Sequence, residues 1–122
     1  MWRDDASLLD MLIWARRAHD FTAQLKQDAF EADQLVQSAT VRCLEVIGEA
    51  ASRVSPAFRE GHPEIPWREI MGMRKRLAHE YGHVDLAEVW RAATRDCPQL
   101  ISQLEPLVPA DSLPLPDEWE FL

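Results

Sequence analysis

Between Val36 and Val54 the apolar residues Val36, Ala39, Cys43, Ile47, Ala50 and Val54 follow one another by three or four at every step, and Leu44 and Ala51 widen the stripe. An α-helix returns side chains to one face at that interval, whereas a strand would do so at every second residue. The spacing predicts a long helix with one buried face, so the chain must supply other amphipathic helices to cover it. Gly48 interrupts the pattern, at a cost of about 1 kcal/mol relative to alanine. A glycine there is expected where a neighbouring helix crosses closely. Glu45 and Glu49 stand one turn apart, a spacing open to metal or acid–base work, but solvated helix acids are the plainer reading.

The rest of the chain repeats the helical theme. Asp4 and Asp5 favour a helix start, and Leu8, Leu9, Met11, Leu12, Ala15, Ala18, Phe21 and Leu25 predict a first helix to about Lys26. Residues 28–33 read as a polar connection. Ser55-Pro56 ends the second helix, and a bend over 61–66 leads to a third that starts at Pro66, buries Trp67, Ile70, Met71 and Leu77, and stops near Gly82. Asp85 reads as an N-cap with Glu88 at the capping-box position. Leu86, Val89, Trp90, Ala93, Cys97, Leu100, Ile101 and Leu104 mark a fourth helix, which Pro98 should kink or split. No strand pattern, internal repeat or glycine-rich phosphate loop is visible. The predicted fold is all-α, an antiparallel four-helix bundle over residues 1–108, followed by an acidic, proline-rich tail over 109–122.

At 122 residues, 47% hydrophobic and 28% charged, the chain suits one folded core and not disorder. No apolar run approaches membrane-spanning length, so no membrane partner is expected. The start, Met1-Trp2-Arg3-Asp4-Asp5, lacks the apolar core of a signal peptide, and a cytoplasmic location is expected. Cys43 and Cys97 each fall in an apolar helical pattern and read as buried, reduced thiols. A net charge of −8 disfavours nucleic acid as a partner, but the charge is unevenly spread. Arg68, Arg74, Lys75 and Arg76 face only Glu69 between positions 68 and 76, while Asp111, Asp117, Glu118 and Glu120 crowd the tail. From charge alone, the basic cluster is a solvated helix face.

The stretch Met71 to His83 gathers that positive charge with His79, His83 and Tyr81, the sole tyrosine. Two chemistries share these letters. His79-Glu80-Tyr81-Gly82-His83 matches H-E-x-x-H, in which two histidines one turn apart bind zinc and the glutamate acts as base. That requires an unbroken helix and a third ligand. Gly82 lies between the histidines, a new helix starts at Asp85, and only an acid such as Glu88 remains to complete the set. The alternative needs no metal or other cofactor. Arg74 offers a fork suited to phosphate and His79 a proton carrier near neutral pH. With the 2′-hydroxyl of RNA as nucleophile, a base and a cation suffice for cleavage to a 2′,3′-cyclic phosphate and a 5′-hydroxyl. A lone Arg-x4-His, taken by itself, reads first as a surface ion-paired cation and a helix-end histidine.

Arg74-x4-His79-x-Tyr81 resembles the signature of the HepT-like HEPN ribonucleases, toxins of prokaryotic toxin–antitoxin pairs. The resemblance extends to Leu44-Glu45-Val46-Ile47-Gly48-Glu49-Ala50-Ala51, to Pro63 through Ile70 with Gly72-Met73-Arg74, and to Val84-Asp85-Leu86 with Val89-Trp90, covering roughly residues 5 to 107. It implies a helical homodimer with facing motifs and metal-independent endoribonuclease activity. It also implies a nucleotidyltransferase antitoxin that silences the toxin by moving AMP onto Tyr81, in a type VII-like pair. By the same resemblance, Arg74 would bind the scissile phosphate, His79 would transfer protons, and Tyr81 would be the modification target and a substrate contact. Arg68, Lys75 and Arg76 are the expected RNA-binding cations. Lys75 departs from the polar asparagine or aspartate usual in the family at that point. A non-catalytic dimer that only engages RNA or a nucleotidyltransferase is the alternative.

Overall fold

The structure, a computed structural model, describes residues 2–77 and 84–109. Trp2, Arg3 and Arg74 are described by their backbone only. The chain is all-α, with no strand among the described residues. Helix α1 (Trp2–Thr22) and α3 (Gln34–Arg53) make the most extensive contact in the fold. Leu8, Met11, Leu12, Ala15 and Ala18 of α1 are buried, as are Cys43, Ile47, Ala50 and Ala51 of α3. The alanines let the two helices approach closely, and the apolar step of three or four noted in the sequence is the buried face of α3.

Several ends differ from the sequence expectation for physical reasons. Helix α1 stops at Thr22, before Lys26, where the buried Thr22 hydroxyl donates to the Ala18 carbonyl at 2.9 Å. The expected polar connection holds a short helix, α2 (Gln27–Glu31). Its Phe30 is fully buried, with its ring centroid 5.3 Å from that of Trp90. Ser55 caps another short helix, α4 (Pro56–Gly61), donating its hydroxyl to Asp4 while accepting from the Phe58 N–H. The third expected helix is divided at Gly72 into α5 (Trp67–Met71) and α6 (Met73–Leu77). Met73, not Met71, takes the buried position between Ile70 and Leu77.

The final element begins where Asp85 accepts the Glu88 N–H at 3.1 Å, opening α7 (Leu86–Arg91). A wider π-helical turn follows over Ala92–Asp96, and α8 (Cys97–Leu104) continues from it. The Cys97 N–H reaches back to the Ala92 carbonyl, five residues away. Pro98 has no N–H and its ring would crowd the carbonyl four residues earlier. The wide turn just before it absorbs that conflict, so the helix runs on as one element instead of splitting. A final 3₁₀ turn spans Glu105–Leu107. Arg16 pairs with Glu105 at 2.9 Å, tying α1 to this end. No helix of the described chain is long and apolar enough to cross a membrane. The tail beyond residue 109 lies outside the described residues.

Gly48 is the close helix crossing expected from the sequence. A Cβ there would stand 2.9 Å from the Ile70 carbonyl oxygen of α5. Gly48→Ala gains helix propensity of about 1 kcal/mol but drives a methyl into backbone. The net expected change is a loss of about 1–3 kcal/mol in chemical denaturation; unchanged or increased stability would contradict the packing.

Asp4 fastens the start of α1 to the α3–α4 junction. Its carboxylate accepts the Ser55 N–H at 2.9 Å and the Ser55 hydroxyl at 2.8 Å. These donors, the backbone N–H first, hold the Asp4 carboxyl below its ordinary 3.8 against the opposing effect of burial. A carboxyl whose folded pKa is depressed adds stability above its unfolded pKa and loses it as pH falls through the folded value. Asp4→Asn is therefore expected to cost about 2 kcal/mol at pH 7. The gap from wild type should narrow as the pH drops below about 4. A pH-independent gap in urea melts would refute the assignment.

Candidate functional site

The bend before α5 is set by local bonds. The Trp67 indole N–H donates to the His62 carbonyl at 2.9 Å, and the Ile70 N–H to the Pro66 carbonyl at 3.0 Å. Gln103 of α8 donates to the Glu64 carbonyl at 2.8 Å, holding the bend against the last helix. Trp67 and Ile70 are buried, while Arg68 and Glu69 face solvent. Gly72 stays right-handed, with φ −81° and ψ −5°. Its N–H donates to Arg68 O at 2.9 Å and its carbonyl accepts from Arg76 at 3.1 Å. The chain therefore turns on from α5 into α6 in the same hand.

Met73 and Leu77, one turn apart, anchor α6 in the core. Arg74, Lys75 and Arg76 lie between these anchors, and Lys75 is exposed. Arg68 and Lys75 are seven residues apart, two turns along a right-handed path, which puts them on the same side. Arg74 is placed on α6 by its backbone. Its side chain, and His79, Glu80, Tyr81, Gly82 and His83 entirely, lie outside the described residues.

Arg76 has a specific partner. Its guanidinium pairs with Glu88 of α7, and Glu88 also pairs with Arg91 one turn further on. The Glu88 side chain is 18% exposed, against 41% for Arg76 and 53% for Arg91. With Leu77 buried, this bridge ties α6 to α7. By its spacing from Asp85, Glu88 reads as a capping-box residue. The cap is made by Asp85, and the Glu88 carboxylate instead spans two helices. As the remaining acid for an H-E-x-x-H zinc set, Glu88 would first have to abandon two cations. Among the described residues no cluster of three histidines, cysteines or carboxylates is spaced to hold a metal.

Beside this bridge, Ile47, Ile70, Met73, Arg76, Cys97 and Leu100 line a small apolar cavity of about 80 Å³. It is too small for a nucleotide, whose sites usually exceed about 300 Å³. Cys97 is no nucleophile there. Burial above all, with the neighbouring Asp96 charge, pushes its thiol up to about 12. Burial likewise lifts Cys43 to about 11. Both thiols are buried and unbridged, as the sequence suggested.

Apart from Glu69, the exposed side chains described on α5 and α6 are cationic, and α6 leads into the segment that holds the chain's histidine–tyrosine motif. The model of one family, described as ribonuclease HepT-like, matches residues 11–107. The chain belongs to the HepT-like ribonucleases. A Methanocaldococcus jannaschii protein named as a candidate RNase is 36% identical over 103 residues, covering 84% of this chain and 85% of its own. A second from that organism, named likewise, is 35% identical over 103 residues, with 84% and 89% covered. A Thermococcus cleftensis protein named as a candidate ribonuclease HepT is 40% identical over 88 residues, covering 72% of this chain and 80% of its own. No solved structure gives a significant match.

The family match ends at residue 107, close to the last described helical turn. Within this HepT-like chain, the Glu88 bridge yields a stability prediction. Glu88→Gln keeps the side-chain shape but removes the charge that two arginines share. The expected loss is about 1 kcal/mol in urea melts, and it should shrink at high salt, where partly exposed ion pairs are screened. A loss that salt leaves unaltered would point to packing instead.

Proposed function

We propose that this chain is a metal-independent endoribonuclease and the toxin of a type VII-like toxin–antitoxin pair. The observation that carries the reading is the HepT-like ribonuclease match over residues 11–107, which contains Arg74-x4-His79-x-Tyr81 in full. Arg74 sits on a helix pinned by Met73 and Leu77, directly before the histidine and tyrosine. In the proposed reaction the His79 imidazole takes the proton of the RNA 2′-hydroxyl, and the 2′-oxygen attacks phosphorus. The bond from phosphorus to the 5′-oxygen breaks, and the imidazolium returns a proton to that oxygen. The products are a 2′,3′-cyclic phosphate and a 5′-hydroxyl, with no water consumed. Arg74 holds the phosphate oxygens as negative charge builds on them. Arg68 and Lys75, on one side of α5 and α6, attract the strand.

A second copy of the chain across a shared cleft completes the groove in this reading, and a nucleotidyltransferase acts as antitoxin. AMP on Tyr81 would place a phosphate where Arg74 meets RNA and compete for the same cation. The test is cleavage of labelled RNA in the presence of a chelator. Wild type should cleave, while Arg74→Ala and His79→Ala should each lose at least about a hundredfold in rate. Tyr81-modified protein should fall similarly. RNA bound but not cut by wild type would replace the nuclease with a binding module, the outcome that Lys75 favours. Activity that persists in both variants would reject the assigned roles.

A further inference from the structure

Arg59 has no role in the motif, and eight residues with two prolines separate it from Arg68. The fold nevertheless brings the two to one place. Arg59, in the last turn of α4, and Arg68, in α5, line the same open depression with Pro56, Glu60, Trp67 and Met71, of about 330 Å³. Its wall is rigid. Phe58 stacks on His62 at 4.1 Å and meets Trp67 edge-on at 6.4 Å, and the Trp67 indole is tied to the His62 carbonyl.

The Arg59 guanidinium is poorly compensated. One Nη of Arg59 contacts the Met71 sulfur at 2.9 Å, a weak acceptor. Its Nε is buried without a hydrogen-bond partner among the described residues. Neither Arg59 nor Arg68 makes an ion pair among the described residues, although Glu60 lines the same depression. In a chain with 21 acidic and 13 basic residues, two such arginines converging on one opening are a departure. Phosphate oxygens entering the opening would give the Arg59 Nη donors the acceptors that sulfur does not.

We propose that Arg59 and Arg68 together form a second phosphate-binding position for the RNA strand, apart from the phosphate held at Arg74. This rests on the ribonuclease reading and adds to it a residue from outside the motif. Arg68 precedes Arg74 by six residues on a right-handed path, about 9 Å along the axis, which a few linked nucleotides can span. Trp67 is 8% exposed and offers no ring to a base, so the position reads backbone only. It favours strands over dinucleotides and is indifferent to sequence.

The experiment uses the full chain and a fluorescein-labelled 2′-O-methyl oligoribonucleotide of about twelve nucleotides, within the range single-strand sites cover. That probe lacks the nucleophile and cannot be cut. Anisotropy titrations across a salt series give Kd and its salt slope. Arg59→Gln and Arg68→Gln should each raise Kd about fivefold for any sequence and lower the slope by about 0.7 for the shared phosphate. The Arg→Lys variants should recover part of the loss, and Glu60→Gln, which removes a neighbouring negative charge, should tighten binding. Thermal melts by circular dichroism establish that each variant is folded. Should folded Gln variants and Glu60→Gln all bind as wild type does, while wild type still binds and cuts RNA, this position is refuted and the ribonuclease reading stands. Should wild type fail to bind RNA, both fall together.

Discussion

The contact on which the rest depends is the meeting of Gly48 with the Ile70 carbonyl. A side chain at position 48 would stand within 2.9 Å of that oxygen, so only hydrogen lets α5 lie directly on α3. From that seat, Trp67 and Ile70 are buried, and the right-handed turn through Gly72 carries α6 into the same core at Met73 and Leu77. The cations of this segment are therefore presented from a fixed rod.

Charge is handled in the same economical way. The chain is strongly acidic, and its described basic residues fall into distinct roles. Arg16 ties α1 to the end of the bundle through Glu105, and Arg76 and Arg91 share the carboxylate of Glu88. Lys75 and Arg68 are left exposed on the outer side of α5 and α6. An ion pair that bridges two helices spends its charge on architecture, whereas an exposed cation on a rigid helix keeps its charge for a partner. Membership of the HepT-like ribonucleases makes RNA the substrate class of the family. The buried thiols contribute packing alone, since burial holds both well above neutral pH.

The last helix shows how a local conflict is resolved without losing the element. Pro98 removes one helical donor, and the widened turn over Ala92–Asp96 moves the mismatch ahead of it. Thr94 occupies its hydroxyl on the Trp90 carbonyl at 2.7 Å within that stretch. The continuous helix that results reaches both α1 and the bend before α5, through Arg16–Glu105 and Gln103–Glu64. Gln103 and Glu105 both lie beyond Pro98, so the unbroken helix joins these two contacts to α7.

The sequence by itself determined the helical class, the buried face of α3, the tight crossing at Gly48 and the cap at Asp85, because each is written in spacing or in one residue's local chemistry. It also carried the Arg74-x4-His79-x-Tyr81 motif, although the placement of His79 and Tyr81 lies outside the described residues. Tertiary structure alone decided that Phe30 is core, since one aromatic in a polar connection has no period to betray it. It alone bound Arg76 to Glu88 and brought Arg59 beside Arg68. Those pairings depend on how a bend and a turn return the chain upon itself, and linear spacing does not encode distance once the helix ends.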